Sequence, residues 1–154
     1  MKILLENWRQ YLKEDKQVIS TKKEIISYIK NNPDQSINVD YKKGSMKGFA
    51  GADEIIPFDY GEWPDLTNPA DNMGWDLIIV PSASEGSKDL TPIGHVDYDP
   101  ELKPNKVGND KIIVAPGSNY SQEDKKIIDD FFNKLQYFKE VVWFKKEDKK
   151  DGDD

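Results

Sequence analysis

Cysteine is absent from this 154-residue chain, which excludes disulfides and thiolate sites and makes a reducing compartment unproblematic. Histidine occurs once, at His95, which argues against zinc ligation by imidazoles. No apolar run approaches the ~20 residues that span a bilayer. Glu6, Arg9 and Lys13 interrupt the N-terminal segment, so it does not read as a secretory signal. The expectation is a soluble protein of a cell interior or a particle, with no membrane partner. Surplus basic charge is missing too. The formal net charge of −7 argues against nucleic acid as a main partner, because phosphate backbones are held by an excess of lysine and arginine. An acidic chain suits metal ions better.

What is present fits one domain with a compact core and a heavily ionised surface: 36% hydrophobic and 33% charged residues. Leu5, Trp8 and Leu12, with Leu4 and Tyr11, give residues 1–14 the spacing of an amphipathic helix. Thr21 and Glu24 form a capping box opening a helix that runs to Lys30 with Ile25, Ile26 and Ile29. INVDY at 37–41 alternates as a half-buried strand. KKGSMKGFAGAD follows as a Gly-rich loop. It lacks the G-x-x-x-x-G-K-[ST] order of a nucleotide cradle, so a flexible connection is expected, with Lys43 and Lys47 facing an anion.

The segment 53–76 is rich in proline, acids and aromatics (Phe58, Tyr60, Trp63, Trp75). It reads as one short strand, 55–58, and then an ordered irregular loop. Strands are expected at 76–80, 92–96, 111–115 and 141–144. A helix capped by Ser121 and Asp124 carries Ile127, Ile128, Phe131, Phe132 and Leu135. Residues 145–154 form a charged, disordered tail after a single domain spanning 15–144. Helices at both ends of a β-rich middle imply an α+β fold: a small twisted, barrel-like sheet with flanking helices.

Asp71, Asp76, Asp97, Asp99 and Asp110 all fall at strand ends. Together they suggest one acidic pocket holding a hard divalent cation and, through it, a phosphate. His95 reads as a sheet residue with a satisfied hydrogen bond. Trp63 and Trp75 read as core residues.

The order F-D-Y-G-E, D-x(4)-D-L-I-I-V-P, P-I-G-x-V, K-I-I-V-A-P and I-x(2)-F-F, over residues 55–144, resembles the soluble inorganic pyrophosphatases of the first family. The resemblance implies their barrel-like α+β fold, Mg²⁺ (or Mn²⁺) as cofactor, and hydrolysis of pyrophosphate or a related phosphoanhydride. It implies phosphate contacts for Tyr60 and Lys111 as catalytic residues. It also implies metal ligation by Asp71, Asp76 and either Asp99 or Asp97, with Asp110 close to the position of a further acid. Met73 stands where that family has its middle acid, Asn109 where it has the acid before the lysine, and Thr91 where it has an arginine. The alternative is therefore the same fold retained for binding without turnover.

MKILLENWRQYLKE resembles the capsid-targeting peptides of large tailed bacteriophages, which end in a protease site of the form L-x-E. Leu12 and Glu14 supply that form. This resemblance implies cleavage after Glu14, a capsid or other phage protein as partner, and residence in the infected host cytoplasm or the virion.

Overall fold

The structure, a computed structural model, describes residues 17–49, 52–106 and 108–145. The expected helix at 1–14, with Leu12 and Glu14, lies outside them, as does the tail beyond Lys145.

Among the described residues one mixed seven-stranded sheet forms, its central strands buried on both faces. Its strands are β1 (Gln17–Val18), β2 (Asn38–Tyr41), β5 (Asp59–Asn68), β6 (Met73–Ile79), β7 (Leu90–Tyr98), β8 (Lys111–Pro116) and β9 (Phe138–Trp143). Their spatial order is β1-β5-β6-β8-β7-β9, with β2 also on the outer side of β5. β6 and β8 run parallel, whereas β5–β6, β8–β7 and β7–β9 are antiparallel. A separate hairpin, β3 (Met46–Phe49) with β4 (Ala52–Ile55), lies off the sheet. It replaces the flexible Gly-rich connection expected from sequence.

Two further expectations need correction. The irregular loop placed after residue 58 is instead β5, at ten residues the longest strand among the described residues. Pro64 hid it by breaking the alternation. The strand absorbs Pro64 in a register shift between Trp63 and Thr67, the kind of irregularity at which a strand tolerates proline. The sheet also stays open rather than closing into a barrel, with β9 along one edge and β1 and β2 sharing the other.

Each face of the sheet has its own helix. α1 (Lys22–Asn31) begins with the expected Thr21–Glu24 capping box and buries Ile25 and Ile29 against Trp63, Trp75, Leu77, Ile112 and Val114. α2 (Gln122–Asn133), capped by Ser121 and Asp124, buries Ile128, Phe131 and Phe132 against Phe58, Ile78, Val96 and Ile113. Each such side chain stabilises the fold by about 1.5–3 kcal/mol. The fold is thus α+β. Among the described residues no helix is long and apolar enough to cross a membrane.

Asp124 does more than cap α2. Its carboxylate accepts from the backbone N–H of Ser121, from that of Ser82 and from the Ser82 hydroxyl. The segment after β6 is thereby tied to the start of the helix.

Candidate functional site

Because side chains alternate along a strand, β8 sends Lys111 to the α2 face and its neighbour Ile112 to the α1 face. The parallel register Leu77↔Ile112 places Asp76 beside Lys111, and the Lys111 ammonium donates to Asp76 Oδ2 at 3.2 Å. Tyr60 on β5 and Tyr98 on β7 complete the surround, with ring centroids 5.3 and 5.2 Å from that ammonium. The Lys111 side chain is only 4% exposed. Burial alone would lower its pKa, but Tyr60, Asp76 and Tyr98 outweigh that and hold it above the ordinary lysine range. Tyr60 is buried as well, and burial pushes its phenol far up, so it stays neutral.

The β3–β4 hairpin adds a second amine. Phe49 anchors it, its ring packing edge-on against Tyr60, Phe131 and Phe132. Two residues earlier, Lys47 shares that inward face. Its ammonium sits 4.5 Å from the ring centroids of Phe49 and Tyr60 and 5.2 Å from that of Tyr41, and it donates to the Gly48 carbonyl at 3.1 Å. Burial, with Lys111 next, lowers its pKa. Two amines thus lie about one Tyr60 ring, whose phenol is neutral. Charge-assisted hydrogen bonds to a small polyanion are the chemistry such a group can offer.

The five aspartates do not form one pocket. Asp76 alone lies beside Lys111. Asp71 and Asp99 serve turns, accepting from the backbone N–H groups of Met73 and Glu101. Asp97 and Asp110 face the opposite side of the sheet, where the Lys22 ammonium at the start of α1 lies 2.9 Å from Asp97 and 3.3 Å from Asp110. His95 Nδ1 is hydrogen-bonded to the same Asp97 oxygen at 2.8 Å. Burial opposes the Asp97 charge, but His95 and Lys22 override it and depress the pKa. For Asp110, burial and then Asp97 prevail over Lys22 and raise it.

Among the described residues no group of three or more histidine, aspartate or glutamate side chains is gathered to hold a metal ion. Asp76 does have a carboxylate neighbour, its cross-strand partner Glu62. The Glu62 carboxylate lies over Gly74, where a Cβ would come within 2.9 Å of its Oε1. One or two carboxylates fit Mg²⁺ that shares its shell with water and substrate phosphate, though not a cation caged by protein alone.

Glu62, Tyr98 and Lys22 join the candidate residues only in the structure. Alternation from Val96 could have found Tyr98. Nothing in the sequence pairs Lys22 with an aspartate 75 positions away. Comparison with known proteins is silent: no protein-family profile matches the chain, and neither does any curated protein or solved structure.

Proposed function

We propose that the cluster formed by Tyr60, Asp76, Lys111 and Lys47 binds a small phosphate compound of the pyrophosphate type. One observation carries this reading. Tyr60, Asp76 and Lys111, matched to pyrophosphatase positions by their motifs, come from three separate strands and meet, and Lys47 adds a second amine. Calorimetric titration with pyrophosphate tests it. Saturable binding should weaken about tenfold or more in Lys47→Ala, given roughly 1.5–3 kcal/mol per charged hydrogen bond. Binding that is absent, or unchanged in that variant, overturns the reading.

Hydrolysis is the second reading, favoured by the Glu62–Asp76 pair. With Mg²⁺ or Mn²⁺ those two carboxylates would share the cation with the substrate. The ion would neutralise phosphate charge and lower the pKa of a bound water. Lys111 would hold a phosphate oxygen and Tyr60 would orient it. Phosphate release from pyrophosphate at millimolar Mg²⁺, lost in Asp76→Ala, supports turnover. Its absence alongside intact binding leaves a site that binds only.

The processing expectation joins this proposal: cleavage after Glu14 would deliver a protein starting at Asp15 into a phage head. Mass spectrometry of the N-terminus in virions would find that start or rule it out.

A further inference from the structure

A cavity of about 310 Å³ lies on the α1 face of the sheet, opposite the Tyr60–Lys111 cluster, lined by Lys22, Lys23, Ile26, Lys30, His95 and Phe144. That volume is at the small end of ligand sites and fits a one-ring molecule. Its lining contains no acid, in a chain with 29 acidic and 22 basic residues. Lys22 is already neutralised from behind by Asp97 and Asp110. Among the described residues Lys23 and Lys30 make no ion pair, and Lys30 instead rests its ammonium over the Phe144 ring at 5.2 Å.

His95 is the unusual member. Its side chain is 12% exposed, its ring is tilted against Phe144 at 5.9 Å, and the Nδ1 bond to Asp97 fixes its orientation. Nε2 meets no protein partner among the described residues. The cavity therefore combines an apolar wall from Ile26 and Phe144, two ammonium groups without a carboxylate partner among the described residues (Lys30 resting over the Phe144 ring), and an imidazole nitrogen held in place by a carboxylate. A bare solvated helix face would supply the lysines alone.

We propose that this cavity is a binding site for a small planar organic anion, one ring bearing a carboxylate or phosphate. The ring lies against Phe144 and Ile26. The acidic group meets Lys23 and Lys30, and Nε2 of His95 contacts the ligand edge.

The only histidine in the chain gives a single imidazole signal by nuclear magnetic resonance, so site occupancy can be read directly. Phenyl phosphate and benzoate are titrated into the full chain at fixed pH, with orthophosphate as a third arm. The organic anions should shift the His95 resonances saturably. In the Lys23→Ala/Lys30→Ala double variant the affinity should fall about tenfold or more, as charge-assisted contacts are lost. Orthophosphate should bind more weakly than phenyl phosphate, having no ring to place on the apolar wall. Both substituted lysines are exposed on α1, so the variant should fold, and pyrophosphate binding at Lys111 should be unchanged in it. No saturable shift, or one that survives the double substitution, overturns the proposal. Equal affinity for orthophosphate overturns the assignment of a ring-bearing ligand.

Discussion

Lys111 and Asp76 are hydrogen-bonded across a parallel strand pair, yet they are unequally enclosed. The lysine side chain is 4% exposed and the aspartate 22%. The ammonium therefore depends on its carboxylate more than the carboxylate depends on it.

Removing the dependable partner should be the costlier change. Asp76→Ala strands a buried cation among phenols and should cost about 3 kcal/mol, whereas Lys111→Met leaves an aspartate that still reaches water and should cost about 1 kcal/mol. Urea unfolding of both variants checks the order. Equal losses would refute the asymmetry.

Asp110 should act against stability at neutral pH. Its folded pKa is raised, by burial first and by Asp97 second, so the folded state binds its proton better than the unfolded chain does. Its favourable contribution is complete below the unfolded value of about 3.9 and is lost as pH rises through the folded value. Asp110→Asn should melt higher than the parent at pH 7, and the gain should shrink below pH ~4. Asp97, with its depressed pKa, predicts the reverse: stability present above about 3.9 and lost as pH falls through the folded value. Melting curves between pH 2.5 and 7 separate the two; a matching response from both asparagine variants would contradict the assignment.

Gly61 permits β2 to join the sheet. A Cβ there would lie 1.9 Å from the Asn38 carbonyl oxygen, a collision with backbone that only strand displacement relieves. Gly61→Ala should cost about 3 kcal/mol and release β2. Because β2 carries Tyr41, the Lys47 environment should loosen with it. Hydrogen exchange at Asn38–Tyr41 reads this directly, and undisturbed protection would count against it.

Asp124→Ala removes three hydrogen bonds at once, two to Ser82 and one to Ser121. The expected loss is about 1–2 kcal/mol, from a helix cap together with the part-buried bonds to Ser82. Asp124→Asn, which retains an acceptor, should lose less. Thermal unfolding of the pair gives the comparison.

The two helices were legible because their capping boxes and apolar stripes are local signals. Strands β6 and β8 were legible as short apolar runs. β5 was not: its single proline disguises a ten-residue strand whose bulge is stabilised by pairing with β6. For the site, Tyr60, Asp76 and Lys111 can be picked out by motif, whereas Lys47 reads in sequence only as a loop lysine. The aspartates do not form the single pocket their strand-end positions suggest, because strand-end position says nothing about face. Asp110 and Lys111 are adjacent in sequence, and the pleat sends them to opposite sides of the sheet.

The strand order carries a consequence for how the chain assembles. β8 fills the slot between β6 and β7, although both precede it in the sequence. Until residues 111–116 emerge, β6 and β7 each present a naked backbone edge to the slot, the kind of surface on which nascent chains stick to one another. Closure of the slot waits on β8, so a chain truncated before Lys111 should aggregate rather than persist as a smaller folded domain.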